Sequence, residues 1–332
     1  MGSVQALDIS VALANWNGMK YIDRCLSALY AQSCPPAEVV VVDNGSTDGS
    51  REWIAEHYPQ VKLLANAENR GFAAGYNRAI AACSHEWILA LNTDVFVEAD
   101  FSQRALPVLR GDEALGAVAG RVYQQATNEW LNSGFFLRPL MRTRHSAQVD
   151  CEEDIFGCSG ALILFRRAML EDIAVDGQYF DECYFSYGED VDLAWRARLL
   201  GWKARYVPQA RALHVGSGSS NEQMRFVDKP AFLQRHILKN RYLTLVKNAS
   251  PVELLLLAPY WLVGEPLVWL VLLCRAPRRW LRLLPALSDV LCLLPRALGW
   301  RRCVQARRVV GTMQVMRYFS WIYAWQIGRA HV

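Results

Sequence analysis

Short β-branched runs alternate with helix-period segments through the first 125 residues. Ile9–Ala14, Glu38–Asp43, Val61–Ala65, Trp87–Leu91 and Ala117–Val122 are predicted strands. Between them, Tyr21, Cys25, Leu26 and Leu29 share one helix face, and Arg51–Tyr58 and Ala73–Ala82 suit helices. This alternation predicts an α/β fold: a mostly parallel sheet with right-handed crossovers and flanking helices. From about 125 to 155 the periodicity fails and a mobile loop is expected, with Arg138, Arg142 and Arg144 ahead of an acidic stretch. Gly157–Phe165 is a predicted strand, Gly188–Leu200 a helix, and Lys203–Val207 and Ala210–Val215 are short closing strands.

Ligands of parallel sheets bind beyond the carboxyl ends of the strands, and the polar clusters fall there. Asn15-Trp16-Asn17-Gly18 follows the first strand, and Asp43-Asn44-Gly45-Ser46-Thr47-Asp48-Gly49-Ser50 follows the second. Asn69-Arg70-Gly71-Phe72 follows the third, and Asn92-Thr93-Asp94 the fourth. The second cluster suits a turn with a helix cap. It equally suits a nucleoside site in which Asp43 accepts hydrogen bonds from a base or ribose while Asn44 and Ser46 position it. GxGxxG is absent after the first strand and GxxxxGK[ST] is absent altogether, which disfavours a dinucleotide cofactor and a P-loop. Asp94 ends an apolar strand, where a carboxylate caps a backbone group or holds a hard cation such as Mg²⁺ or Mn²⁺ together with phosphate oxygens. Gly188-Glu189-Asp190-Val191-Asp192 places three carboxylates in one helical first turn, which suits the helix dipole. The preceding Tyr184-Phe185-Ser186-Tyr187 would desolvate a carboxylate and raise its pKa, as a general base requires. His214 precedes the Gly/Ser run 216–220, a setting for a ligand near a phosphate.

Composition adds a division. The 332 residues are 52% hydrophobic and 20% charged, which excludes a disordered chain. The net charge of +4 conceals 19 basic and 28 acidic side chains over residues 1–224, against 17 basic and 4 acidic over 225–332. Nine cysteines without a CxxC pair suggest reduced thiols and a cytoplasmic setting. The N-terminal residues show no signal-peptide pattern, and Ala6 stands where myristoylation wants Ser or Thr.

In the basic part, Leu254–Gly264 and Pro266–Cys274 are apolar but each is too short for a spanning helix, because Glu265 divides them. With Arg275, Arg278, Arg279, Trp280 and Arg282 following, residues 225–326 are expected to form a helical, amphipathic region lying on an anionic membrane surface. A helical unit packed on the body is the alternative, and the long Leu runs argue against nucleic acid as a partner. Ile327–Val332 matches the translation of a common sequencing adapter, so residues 327–332, His331 included, are given no role.

The ordered set of motifs resembles family 2 glycosyltransferases of the bacterial rhamnosyltransferase-like branch. It comprises Asn15–Gly18, Val42–Ser50, Asn69–Asn77, Leu91–Asp94, Phe156–Ala161 and Tyr187–Arg196, spread over residues 8–220. The resemblance implies a GT-A catalytic domain over residues 1–224, a dTDP-, UDP- or GDP-linked sugar donor, a divalent cation and inversion at the anomeric carbon. It places Asp43 at the nucleobase, Asn15 and Asn17 around the nucleoside, and Asp94 on the metal with His214. Asn44, Ser46, Asn69, Arg70, Gly71, Asn77, Asn92 and Thr93 join the donor-binding set. Asp190 is implied as the base that deprotonates the acceptor hydroxyl, with Glu189 the rival. Asn92 stands where the family's DXD motif has its first Asp. The expected activity is transfer of a sugar, rhamnose among the candidates, to a lipid-linked cell-envelope glycan at the inner face of the membrane. The alternative is an inactive sugar-nucleotide-binding partner subunit.

Overall fold

The computed structural model describes residues 7–132, 134–145, 150–216, 226 and 229–320. The expected junction at 224–225, the Gly/Ser residues 217–220 and the terminal segment 327–332 lie outside them. The first half runs β1 (Leu7–Asn15), α1 (Ile22–Tyr30), β2 (Pro36–Asn44), α2 (Ser50–His57), β3 (Lys62–Asn66), α3 (Gly71–Ala82), β4 (Trp87–Leu91), β5 (Val95–Val97), α4 (Phe101–Gly111) and β6 (Leu115–Gln124). Then come β7 (Trp130–Asn132), β8 (Gly134–Arg138), β9 (Arg142–His145), β10 (Glu153–Ile155), β11 (Gly157–Cys158), β12 (Leu162–Arg166), α5 (Arg167–Ile173), α6 (Glu189–Leu199) and β13 (Lys203–His214). Four helices follow: α7 (Ala231–Asn248), α8 (Pro251–Arg275), α9 (Pro277–Ala306) and α10 (Thr312–Met316).

The main sheet has the order β10-β13-β6-β12-β4-β1-β2-β3, with β5 added to β13 and β7 to β6. Strands β1 to β4 are mutually parallel, as the strand–helix alternation requires, while β12 runs antiparallel between β4 and β6. Side-chain alternation divides β1: Val11 and Leu13 join α1 and α4 in one apolar layer, and Ala12 joins α3, α5 and α6 in the other. A third apolar cluster ties Phe156, Trp195 and Leu199 of the body to Leu257 of α8, Trp300 and Val304 of α9, and Phe319.

Four expectations need correction. Residues 125–155 are not a loop throughout: β7 and β10 extend the main sheet, and β8 and β9 form a hairpin that β11 completes into a second sheet. These strands are short, and β9 is largely exposed, so hydrophobic alternation did not mark them. The strand expected over Gly157–Phe165 is two pieces, β11 and β12, interrupted by Ser159-Gly160-Ala161. The two closing strands are one, β13, whose register slips between Val207 and Arg211, where Pro208 lacks the N–H a continuous ladder needs.

The fourth correction concerns the tail. Glu265 does not divide the apolar run: α8 is a continuous 25-residue helix, with an 18-residue window of mean hydropathy 1.7 that is almost wholly unburied. By length and composition it could cross a membrane. The Glu265 carboxylate is tolerated because it is turned toward α7, where Arg241 and Tyr242 donate to it, as does the Trp269 indole of α8 itself.

Candidate functional site

Asn15 ends β1 directly opposite Asp43 at the end of β2. Both are buried, and Asn15 Nδ2 donates to Asp43 Oδ1 at 3.0 Å and to Ser50 Oγ at 2.8 Å. Asp43 Oδ2 accepts from the Ser46 N–H at 3.1 Å, and Asn17 Oδ1 accepts from the Thr47 N–H at 2.8 Å. The two loops are further joined by the Met19 N–H donating to Asp48 at 2.8 Å. Asn15, Asn17, Asp43 and Ser46 therefore come together as one polar floor at the sheet's carboxyl edge.

Asn44 turns away from that floor. Its Oδ1 accepts from Asn66 at 2.9 Å and from the Arg70 N–H at 3.2 Å, and its amide donates to Asn69 at 3.1 Å and to the Gly71 carbonyl at 2.9 Å. Asn44, Asn69 and Gly71 thus brace a loop. Gly71 has φ +85°, and a β-carbon there would lie 2.6 Å from Phe185, so glycine lets this loop lie against the aromatic run before α6. Asn77 exchanges hydrogen bonds of 2.8 Å with the Phe180 backbone, and Arg70 pairs with Glu182 at 3.4 Å. The geometry gives these residues structural partners within the fold.

Asp94 and His214 are 120 positions apart in the chain, and the β5–β13 ladder brings them together. His214 pairs with Val95 in register, and its Nε2 lies 3.2 Å from Asp94 Oδ1. Asn92 is fixed by the Tyr76 hydroxyl at 3.1 Å, and Thr93 lies by Gly18, where a β-carbon would come within 3.4 Å of its Oγ1. Among the described residues no group of three or more His, Cys, Asp or Glu side chains could hold a metal ion. One carboxylate and one imidazole suit a cation that takes its remaining ligands from donor phosphates and water.

Glu189 and Asp190 open α6 behind Gly188, whose φ is +84°. Asp190 is half-buried, and its Oδ2 accepts from the Gly160 N–H at 3.1 Å and its Oδ1 from the Val191 N–H at 2.8 Å. Burial raises its pKa despite those donors. Glu189 is raised well above the usual range, first by burial and then by the adjacent Asp190 charge. Burial thus works against the charged form of both carboxylates, and the two backbone donors favour the charged form of Asp190. Both line a cavity of about 930 Å³ that also reaches Asn92, Gly160 and His214.

Two positioning residues lie in the tail, where motif reading did not look. Asn240 is buried, and its amide nitrogen lies 3.0, 2.9 and 2.6 Å from the carbonyls of Tyr184, Ser186 and Tyr187. Tyr187 has φ +72° and Phe185 φ +64°, so this left-handed backbone next to Glu189 is held from α7. Lys247, fully buried, reaches Asp181 at 2.7 Å and Asp192 at 3.0 Å. The available signal was the spacing of Asn240, Thr244, Lys247 and Asn248, one polar face in a helix flanked by apolar segments.

Residues 10–174 match the sequence pattern of glycosyl transferase family 2. The N-acetylglucosaminyl-diphospho-decaprenol L-rhamnosyltransferase of Mycobacterium tuberculosis is 28% identical over 235 residues, covering 62% of this chain and 75% of that protein. Among solved structures, Staphylococcus aureus TarS 1–349 in complex with UDP-GlcNAc aligns over 94% of this chain and 89% of its own, with a TM-score of 0.58 at 16% identity. GalNAc-T7 with UDP, GalNAc and Mn²⁺ aligns over 62% of this chain and 42% of its own, with a TM-score of 0.52 at 14% identity. These likenesses give the sheet and its flanking helices the GT-A fold.

Proposed function

This chain belongs to glycosyl transferase family 2, and from that premise we propose that it transfers a sugar from a nucleotide diphosphate to a hydroxyl of a lipid-linked cell-envelope glycan, inverting the anomeric carbon. The observation that carries the reading is one cavity lined by a raised, backbone-anchored Asp190 and by His214 of the Asp94–His214 pair. The Asn15–Asp43 floor takes the nucleoside, with Asn17 and Ser46 shaping its edge. Asp94 and His214 would hold Mg²⁺ or Mn²⁺, which when bound neutralises charge on the leaving diphosphate. Asp190 accepts the acceptor's proton as its oxygen attacks, and Gly160 fixes the carboxylate for that transfer. One in-line displacement needs a base but no second carboxylate as nucleophile, so the step draws on Asp190 alone. The bulk of residues 7–214 forms the catalytic unit and the later helices its lipid-facing side, at the cytoplasmic face of the membrane.

The named relative acts on a diphospho-decaprenol substrate and transfers L-rhamnose, which supports a lipid-linked acceptor and rhamnose among the candidate sugars. The test is Asp190→Asn, with transfer and donor binding measured side by side. Transfer should fall by about 10²–10⁴ while donor binding is kept. Retained transfer would overturn the assignment.

A further inference from the structure

Glu189 and Asp190 are neighbours in the chain but do not face the same way. Consecutive helical residues point about 100° apart, and the groups around each carboxyl differ accordingly. Asp190 turns to the break between β11 and β12. There the Gly160 N–H donates to it at 3.1 Å, and burial, followed by the Asp190 charge, raises the Cys158 thiol. Glu189 is felt instead at the end of β4. The Tyr76 hydroxyl there donates to the Leu91 carbonyl at 2.7 Å and to Asn92 at 3.1 Å. Burial first, then the neighbouring Cys25, Asp94 and Glu189 groups, raise that hydroxyl well above the usual tyrosine range.

Glu189 is 5% exposed and lines the cavity, and its Oε2 has no hydrogen-bond partner among the described residues. A place in the first turn of α6 explains a negative charge near the helix dipole, but Asp190 and Asp192 already supply that charge. The dipole does not explain a buried oxygen left unpaired, which costs stability unless a ligand meets it. Glu189 does not complete a metal site with Asp94 and His214, since among the described residues no group of three such side chains could hold an ion. A phosphate would be repelled by the two adjacent carboxyl groups. A hydroxyl fits, because it both donates and accepts and so pairs with Oε2 in either protonation state.

In a single in-line displacement the donor sugar lies between its diphosphate and the base, which acts from the opposite face. With the diphosphate at Asp94 and His214 and the base at Asp190, the carboxyl beside the base and near the β4 end faces the donor ring. We propose that Glu189 Oε2 forms a hydrogen bond with a hydroxyl of the donor sugar, holding the anomeric carbon in line with the acceptor oxygen and helping to set which sugar is transferred. The proposal rests on the transferase reading. It gives the two carboxyls of one helical turn separate partners, Asp190 the acceptor and Glu189 the donor.

The test compares each nucleotide sugar with its own nucleotide, titrated calorimetrically into the full chain with Mn²⁺: UDP-GlcNAc with UDP, GDP-mannose with GDP, and dTDP-rhamnose with dTDP. Glu189→Leu keeps the bulk and removes the hydrogen bond. It should weaken the nucleotide sugar about tenfold, the worth of one hydrogen bond in a closed site, and leave the nucleotide within about twofold. Glu189→Ala makes the same prediction with a side chain that cannot clash, and Glu189→Gln, which keeps a donor and an acceptor, should retain more of the affinity for the sugar. Monodeoxy analogues of the donor that binds supply a readout that a structural role would not move. One of them should bind the native protein about tenfold more weakly than its parent, and Glu189→Leu should bind the two alike. Equal losses for nucleotide and nucleotide sugar, no loss for either, or an analogue still discriminated by both Glu189→Leu and Glu189→Ala overturns the role. No binding of any of the six ligands to the native protein would instead overturn the transferase reading.

Discussion

Replacing Lys247 by Met should cost about 3 kcal/mol of stability at neutral pH, at the lower end of the 3–5 kcal/mol typical of breaking a buried ion pair. The ammonium is fully buried, 2.7 Å from Asp181 and 3.0 Å from Asp192, and it also lies 4.7 and 4.4 Å from the centres of the Tyr184 and Trp300 rings. Methionine keeps most of the side-chain volume and the ring contacts but leaves two carboxylates short of a partner. The cost sits at the low end because each keeps some support. Asp192 still has Arg196 at 3.0 Å and Asn248 at 2.8 Å, and Asp181 still has Arg296 at 3.3 Å.

The pH dependence gives a sharper test of the same substitution. In the native protein burial pushes the Asp181 pKa up, but the Lys247 charge and hydrogen bond, with the Cys183 N–H and the Arg296 charge behind them, together hold it below the usual value. A depressed carboxylate stabilises the fold above its unfolded value of about 3.9, and that contribution is lost as pH falls through the folded value. Without Lys247 the burial cause dominates, the folded pKa rises, and the ionised group opposes folding above about 3.9 instead. The stability gap between the two proteins should therefore be widest near pH 7 and narrow as the pH falls toward 4. Urea unfolding at pH 4.5 and pH 7.5 measures it, and adding Asp181→Asn to Lys247→Met should recover part of the loss at pH 7.5. A gap below about 1 kcal/mol at pH 7.5, or one that widens at pH 4.5, would refute the reasoning.

Two further outcomes bear on the chemistry. Because Asp190 is raised by burial and acts ionised, kcat/KM should fall as pH drops through a midpoint above the ordinary aspartate value of about 3.9. Glu189→Gln should leave that limb in place, and a limb at or below 3.9 would contradict the assigned base. Asp94→Ala should weaken the Mn²⁺-dependent part of donor binding by tenfold or more, while donor binding measured without metal stays within about twofold, as calorimetry with and without Mn²⁺ would record.

Strands β1 to β4 and helices α1 to α3 were legible within a few residues because their burial is local. Val39–Val42 and Ile88–Leu91 bury both faces, and Leu26 and Leu29 face the sheet from one stripe. The candidate residues were legible as polar types at strand ends, whereas most of their partners were not. The family resemblance paired Asp94 with His214; the residues around Asp94 do not, and the antiparallel ladder of β5 with β13 supplies the contact. Adjacency in the sequence groups Asn44 with Asp43. In a strand neighbouring side chains point to opposite faces, and that parity turns Asn44 toward Asn69 and Gly71. Helix α8 was misjudged for a related reason: a charge interrupts a hydropathy pattern in one dimension, whereas Arg241 neutralises Glu265 in three.

The division of charge between the two parts of the chain gains a different meaning from these contacts. An acidic first part and a basic second part suggest a body with a tail aimed at anionic lipid. Three of the tail's cations are instead spent on the body: Lys247 on Asp181 and Asp192, Arg296 on Asp181, and Arg307 on Asp172. Three more are matched within the tail, where Arg235 meets Asp289, Arg241 meets Glu265 and Arg308 meets Glu253. Much of the asymmetry is thus complementarity across an internal contact, and it holds α7 against the backbone that presents Glu189 and Asp190. A membrane contact can draw only on cations left at the surface, and Arg275, Arg278 and Arg282 are exposed at the α8–α9 turn beside Leu273 and Leu281. Cations next to exposed leucines suit the headgroup boundary.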